Sequence, residues 1–212
     1  MALATLAELR TAVLGLRTDM MARFASEILP LAEQRIFYGD GPLAPLRVLP
    51  MEVSDELTFT DGVATLPADF LDKRALYWTG TGGQTVSLSY EPPSVFYPQA
   101  YCRRGGPYPM AYTLEGNTVK VSPGLSGEAT LLYYARPAAM AADGDSNAIL
   151  ANWPGVYLFS CQMDLYRLLR NDGELQKVRQ FYADALGAAN RQALVARTLG
   201  GPVKRRVGFA GI

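Results

Sequence analysis

The chain has 212 residues, 49% of them apolar, and its 20 basic side chains balance 20 acidic ones. This length suits one large domain, or a core with one inserted lobe, and zero net charge argues against a protein that simply coats nucleic acid. The absence of histidine removes the commonest general base and metal ligand, and two cysteines cannot form a four-cysteine zinc site or a secreted disulfide framework. We therefore expect a reducing, cytosolic environment.

The N-terminal segment has the pattern of three short helices. Thr5 to Glu8 fits a capping box, and apolar residues follow it at helical spacing. A second helical stretch begins near Thr18, and Pro30 is expected to kink or break it. A third short helix is predicted over 31–38, where a Gly-Asp-Gly-Pro turn ends it. We assign residues 1–42 to the N-terminal helices of a bundle.

From Arg47 to Ala135 the apolar period changes to two, which is typical of strands. Hairpins are predicted around the turns Asp61-Gly62, Thr79–Gly83 and Glu115–Asn117, followed by a last strand that ends near Tyr134. Strands this short and this close in sequence imply an antiparallel sheet or a small sandwich. We assign residues 43–138 to an antiparallel β lobe.

The C-terminal third returns to helical spacing. Asn152 is predicted to cap a helix with Pro154 in its first turn. That helix is apolar almost all round, which is typical of a central helix packed by several neighbours. Its polar residues share one narrow stripe and are Ser160, Asp164, Arg167 and Asn171. A second helix, capped by Asp172, runs for roughly 40 Å to a Gly-Gly-Pro stop.

These segments predict an α+β fold in which N- and C-terminal helices form a helical bundle with an inserted antiparallel β lobe. Residues 139–200 supply the C-terminal helices of the bundle. Residues 201–212 form an extended C-terminal arm that follows the stop.

The motifs that could carry chemistry are weak. The glycine-rich loop at 79–83 is followed by a strand pattern, so it favours a hairpin turn over a phosphate-binding loop, which needs a helix. A carboxylate-pair hydrolase is the one enzymatic alternative, but no spacing singles out a pair among the candidate acids. These acids are Asp55, Asp61, Asp69 and Asp72. We expect no catalytic, cofactor-binding or metal-binding residues.

The stretch from Tyr90 to Tyr112 interleaves aromatic residues with prolines and glycines. It fits a stacking platform for sugar or single-stranded nucleic acid, a stiff loop that docks on a neighbouring subunit, or aromatic cover over the sheet. The first interpretation is the weakest, because a single arginine pair gives little attraction for phosphate. The candidate interface residues are Tyr97, Tyr101, Arg103, Arg104 and Tyr108.

The C-terminal segment is basic: five arginines and lysines and no acid follow Asp184. It could be an arm that inserts into a partner or faces DNA, or a solvated tail that compensates a helix dipole. Apolar residues within it favour insertion into a protein partner. The candidate docking residues are Val203, Lys204, Arg205, Arg206, Val207, Phe209 and Ile212.

Three sequence blocks occur in a characteristic order. The first, 28–36, ends in Ala-Glu-Gln-Arg-Ile, and the second, 61–71, contains Leu-Pro-Ala-Asp-Phe. The third begins at Tyr112 with Tyr-Thr-Leu-Glu-Gly-Asn-Thr and is followed by Leu-Tyr-Tyr-Ala-Arg-Pro and Asn-Trp-Pro. Their order resembles the head-to-tail adaptor, or head-completion, proteins of tailed bacteriophages. It is similar to the kind found in short-tailed phages and related to tail tubular protein A.

This resemblance covers roughly residues 5–195 and implies a structural virion protein, not an enzyme, without a cofactor. It implies a ring of about twelve copies that docks under the portal protein and extends the DNA channel. It further implies a platform for a tail nozzle or tube protein, and DNA that passes without sequence specificity. The portal contact would fall to 201–212, and the virion neck would be assembled in the host cytoplasm. No apolar run approaches the ~18 residues of a membrane span.

Overall fold

The computed structural model describes residues 3–15, 17–80, 84–102 and 109–198, and of residues 99–102 and 198 it describes only the backbone. The chain divides into two compact units. One comprises the described residues up to Pro50 and those from Pro137 onward, and the other comprises Met51–Arg136. Helices and a seven-stranded sheet are both present, so the predicted α+β class is confirmed.

The first unit begins with short helices, and the predicted capping box is present. Thr5 Oγ1 accepts the amide of Glu8, and the Glu8 carboxylate accepts the amide of Thr5, both at 3.3 Å. The predicted break at Pro30 takes the form of a π-helical turn directly before it, which widens the helix without ending it. The elements are α1 (Leu6–Leu14), α2 (Met21–Arg23), the π turn (Phe24–Ile28) and α3 (Leu29–Tyr38).

The second unit is a sheet with one helix beside it. Its strands are β1 (Glu52–Phe59), β2 (Val63–Thr65), β3 (Phe70–Thr79), β4 (Thr85–Tyr90), β5 (Ala111–Glu115), β6 (Thr118–Lys120) and β7 (Gly127–Ala135). The helix α4 (Pro93–Cys102) connects β4 to β5. The predicted hairpins β3–β4 and β5–β6 are confirmed.

The order of the strands is β1-β7-β3-β4-β5-β6-β2. Every paired neighbour is antiparallel except β4 and β5, which run parallel with Ser89 opposite Ala111. The expectation of a wholly antiparallel lobe is therefore wrong at this pair. The reason is α4, because a helical crossover returns the chain in the same direction whereas a tight turn reverses it. The sequence pattern between Tyr90 and Tyr112 had suggested a loop there.

The turn at Asp61-Gly62 forms as predicted, but it does not make a full hairpin. Both residues have positive φ, 50° and 78°, as a two-residue reverse turn requires. A side chain at Gly62 would place its Cβ 2.7 Å from the carbonyl oxygen of Ser122, so this site requires glycine. A single bridge, Thr60 to Val63, joins the flanking strands, since β1 pairs with β7 and β2 with β6.

The core of the second unit lies on one face of the sheet. The rings of Phe59 and Trp78 are tilted at 5.4 Å, and Leu76, Val119 and Leu131 are fully buried around them. Burial alternates along β7 from Glu128 to Tyr133, which matches the period of two in its sequence, and the last residues of the strand, Tyr134 and Ala135, are both buried.

Three helices complete the first unit: α5 (Ala148–Asn152), α6 (Pro154–Leu168) and α7 (Asp172–Thr198). Asn147 caps α5 by accepting two amides, whereas the Asn152 amide donates to the carbonyl of Ala148. The predicted cap at Asn152 is therefore wrong. Asn171 rather than Asp172 caps α7, because its Oδ1 accepts the amide of Glu174. Pro154 opens α6 as predicted.

Helix α6 is central, as its sequence predicts, and packs against α1, α3, α5 and α7. Tyr157 and Cys161 are fully buried on it, and α7 contributes Tyr182 and Ala189 to the same interior. No described helix is both long enough and apolar enough to cross a membrane.

Candidate interaction surfaces

A buried charge cluster connects α3 to α6. The Arg35 guanidinium donates to both carboxylate oxygens of Asp164 at 2.9 and 2.7 Å, and to the carbonyl and hydroxyl of Ser160 at 3.0 and 3.1 Å. Its Nε lies 3.3 Å from the carboxylate of Asp40. Burial alone would lower the pKa of Arg35, but the hydrogen bonds and charge of Asp164 outweigh it and raise that pKa. The guanidinium is therefore a fixed structural cation.

This cluster explains the polar stripe on α6. The stripe is not a solvated face, because Ser160 and Asp164 are buried and receive Arg35. Arg167 lies at the edge and reaches the same carboxylate at 3.3 Å. Sequence reasoning missed this pairing, although Arg35 stands in the Ala-Glu-Gln-Arg-Ile block.

A second polar chain lies beside it and also involves that block. Asn147 donates to the hydroxyl of Tyr157 at 2.9 Å, and that hydroxyl donates to Glu33 at 3.4 Å. Burial raises the pKa of the Tyr157 hydroxyl and of the Cys161 thiol, so both groups stay protonated at neutral pH. The side chains of Glu33 and Arg35 in this block therefore join α3 to α6.

Two further sets of polar contacts hold the first unit together. Arg10 and Asp143 form a bidentate ion pair at 2.7 and 2.9 Å, which ties α1 to the segment before α5. The side-chain amide of Asn190 on α7 donates to the carbonyl of Pro45 and accepts the amide of Arg47. Helices α1 and α7 are thus each fastened to other segments of the same unit.

An apolar groove of about 280 Å³ lies near the end of α7. The residues that line it are Leu49, Pro50, Asn152, Trp153, Gln192, Ala193 and Ala196. The indole nitrogen of Trp153 donates to Gln192 at 2.9 Å, which holds the ring at the groove. We name this feature the Trp153 groove.

Helix α7 also presents apolar side chains to solvent. Phe181, Leu194 and Val195 are each more than half exposed, and Phe181 contacts the ring of Phe159 at 5.5 Å. Large exposed apolar groups on one helix are typical of surfaces that bind other proteins. Phe181 and Val195 lie about 40° apart around the helix axis and so share one side of α7, whereas Leu194 points elsewhere. This outward side of α7 is therefore a candidate surface between copies of the chain.

The aromatic stretch of the second unit does not form a row of free rings in its described part. Tyr112 and Phe96 are buried, while Tyr90 is 41% exposed and carries the Lys73 ammonium over its ring at 3.6 Å. Tyr97 donates to Glu115 at 2.7 Å and accepts from Lys120, which also pairs with Glu115. This arrangement disfavours a stacking platform and makes Tyr97 an anchor for α4.

The remaining predicted interface and docking positions lie outside the described residues. Of Tyr101 only the backbone is described, and the others are Arg103, Arg104, Tyr108, Val203, Lys204, Arg205, Arg206, Val207, Phe209 and Ile212. The same holds for the glycines at 82–83 of the predicted hairpin turn.

The candidate acids of the hydrolase alternative have structural contacts. Asp61 accepts the amide of Gly124 at 3.0 Å, Asp69 accepts the hydroxyl of Tyr133 at 3.0 Å, and Asp55 accepts the amide of its neighbour Glu56. Burial and the contact with Asp69 raise the pKa of Tyr133 to about 12. Within the described part of the chain, no three His, Cys, Asp or Glu residues are grouped so that they could hold a metal ion.

The family whose model matches this sequence is described as SU10 adaptor protein, and the match covers residues 4–206. That range contains all three blocks that carry the resemblance, together with the buried pair Arg35 and Asp164. No curated protein matches the chain.

Proposed function

Because the chain belongs to the SU10 adaptor protein family, a family of phage head-to-tail adaptors, we propose that it joins a phage head to its tail as one subunit of a ring. The ring docks under the portal, extends the DNA channel and supplies the attachment platform for a nozzle or tube protein. The observation that carries this proposal is the family match over 4–206. The family is one of structural proteins and not of enzymes.

In this proposal the helices of the first unit form a bundle, and the β unit is a lobe inserted between them. Neighbouring copies meet on the outward side of α7, where Phe181 and Val195 offer apolar area. One copy's face meets a different face of the next, and about twelve such contacts close a ring if the rotation between copies is right.

The β lobe contacts a neighbouring copy or the next tail protein through the segment around α4. The residues proposed for this contact are Tyr97, Tyr101, Arg103, Arg104 and Tyr108. The anchoring of Tyr97 on Glu115 and Lys120 supports the proposal, because a fixed segment loses little entropy on binding.

The basic arm Gly201 to Ile212 inserts into the portal protein. Its apolar residues supply buried area, and its three cations suit an acidic rim on the partner. The rest of the ring lets DNA slide through the channel. Each DNA phosphate that a protein neutralises increases its affinity for DNA, and a chain of zero net charge neutralises few phosphates. Assembly takes place in the host cytoplasm, and the finished protein belongs to the neck of the virion.

Deletion of Gly201 to Ile212 tests the portal contact. The shortened protein should keep its circular dichroism spectrum and melting temperature but fail to join filled heads, which then lose DNA. As a matched control, the full chain with Lys204, Arg205 and Arg206 changed to Gln keeps the apolar anchors and should retain binding that is weaker and less sensitive to salt. Shortened protein that still closes heads would refute the assignment of the arm.

The ring is tested by mass measurement of the chain with and without portal. We expect a ring-sized complex with portal present, and Phe181→Asp should reduce it because the substitution puts a charge on the apolar face of α7. Gln180→Asp, one position away on the same helix, is the control. A complex of the same size and yield with both variants would exclude this face.

A further inference from the structure

The Trp153 groove has the properties of a site for apolar side chains rather than for a small polar ligand. Its volume of about 280 Å³ lies just below the range of small-molecule cavities, which span roughly 300–1,000 Å³. None of the residues that line it is charged. Its side-chain amides have partners within the unit, because Gln192 accepts the indole of Trp153 and Asn152 donates to Ala148. Recognition there must rest on shape and apolar contact.

The position of the groove singles out one segment of the chain as its occupant. Ala193 and Ala196 line it, and Thr198, where the described chain ends, follows within about 8 Å along the helix axis. Fourteen residues come after Thr198, and they include Gly-Gly-Pro at 200–202, a sequence that favours a chain reversal. The eleven residues that follow Thr198, up to and including Phe209, can span up to about 36 Å. The segment is therefore long enough to turn back and reach the groove.

We propose that Val207 and Phe209 occupy the Trp153 groove of their own chain in the free adaptor, with the Phe209 ring against the indole of Trp153. The two side chains fall on the same side of an extended segment, so both can face the groove. A short tether also gives the segment an effective concentration in the millimolar range, which favours its own chain over a second copy at ordinary protein concentrations.

The consequence for assembly rests on the proposed function. If the arm is also what binds the portal, then groove and portal compete for Val207 and Phe209. The groove keeps these apolar side chains covered until a portal offers a better site, and free adaptors do not bind one another through their arms. Because Val207 and Phe209 only move from one apolar site to another, the helices need no other change.

The proposal is tested by cross-linking in the full chain. The photoreactive residue p-benzoylphenylalanine replaces Phe209, and the protein is irradiated without portal as an equal mixture of ¹⁵N-labelled and unlabelled chains. Mass spectrometry should find cross-links from position 209 to peptides that contain Trp153 or Ala193, with both ends carrying the same isotope. Ala196→Arg, which fills the groove, should lower their yield at least five-fold. Ala188→Arg on the exposed side of the same helix should leave the yield unchanged.

The proposal is overturned by an absence of cross-links to the groove, by cross-links that mix isotopes, or by equal losses with both arginine variants. Portal binding by the unsubstituted chain is measured separately. Protein that binds portal without groove cross-links refutes this inference alone, whereas groove cross-links without portal binding refute the proposed function alone.

Discussion

Arg35 and Asp164 lie 129 residues apart in the sequence and form a bidentate ion pair in the interior of the helical unit. The side chains are 6% and 1% exposed, so neither charge is solvated by bulk water. Each charge therefore depends on the other, and the pair fixes how α3 lies against α6.

Asp164→Ala should destabilise the protein strongly, because it leaves the Arg35 cation buried without its main partner. We expect a loss of about 3–5 kcal/mol in the free energy of unfolding, measured by urea denaturation. The double variant Arg35→Met with Asp164→Leu should recover most of that loss, since apolar residues of similar volume tolerate burial. The control is Glu27→Ala, which breaks the exposed pair with Arg23 and should have a far smaller effect. Equal losses from the two single variants would contradict the structural role of the buried pair.

Gly127→Ala should overpack the β core. An added Cβ would lie 2.7 Å from Cζ2 of Trp78, whose ring is itself buried against Phe59. We expect the free energy of unfolding to fall by about 1–3 kcal/mol. Urea denaturation monitored by tryptophan fluorescence measures this change. Gly144→Ala is the control, because a Cβ there meets nothing within 4 Å and Gly144 does not have positive φ. A loss at Gly144 as large as that at Gly127 would argue against crowding at Trp78.

Arg170→Gly should stabilise the turn between α6 and α7. Arg170 has φ of 53°, a left-handed conformation that strains residues with a side chain by roughly 1–2 kcal/mol. Glycine removes the strain but has more freedom when unfolded, so we expect a net gain of up to about 1 kcal/mol. Arg179→Gly, within α7, should instead lose about 1 kcal/mol. Thermal unfolding of both variants decides this, and a lower melting temperature for Arg170→Gly would refute it.

The pair of Arg10 and Asp143 should make stability depend on pH in the acid range. The hydrogen bonds from Arg10 hold the pKa of Asp143 below its ordinary value, near 3.9 in an unfolded chain. The contribution is present in full above that value and is lost as the pH falls through the lower pKa of the folded state, because the unfolded chain then binds the additional proton. Between pH 7 and about 5 this pair should change nothing.

The measurement is the melting temperature of the wild type and of Asp143→Asn from pH 7 to pH 3. The variant should melt lower at pH 7, and the two curves should converge as the pH falls below about 4 and through the lower pKa of the folded state, where the wild-type carboxylate also becomes neutral. Arg10→Met should show the same convergence, since it removes the other partner. Curves that stay parallel throughout would mean that the pair does not stabilise the folded state.

Features with a local cause could be predicted from the sequence. Thr5 and Glu8 form their capping box with each other, and Asp61-Gly62 turns the chain through its own φ values. The pairing of Arg35 with Asp164 could not be predicted, because a polar stripe on a helix has the same sequence pattern whether it faces water or a buried cation. Helix α4 was missed since Pro98 and its aromatic residues hide the helical period.

The candidate surfaces likewise include features that the sequence could predict and features that it could not. The order of the three blocks was enough to predict the family, whereas the arm inferred from the basic segment after Asp184 stays a prediction. The Trp153 groove could not be predicted, because residues at 49–50, 152–153 and 192–196 meet there only after the first unit has folded.

Strand β7 leaves the ribosome after every other strand, yet it lies between β1 and β3 in the sheet. Until residue 135 has been synthesised, the two earlier strands have no central neighbour and offer unpaired edges to other nascent chains. The ion pair between α3 and α6 forms later still, since the carboxylate that binds Arg35 belongs to residue 164. Neither unit can therefore close until these late segments have been synthesised, and we expect slow synthesis or crowded polysomes to expose the early strands to aggregation.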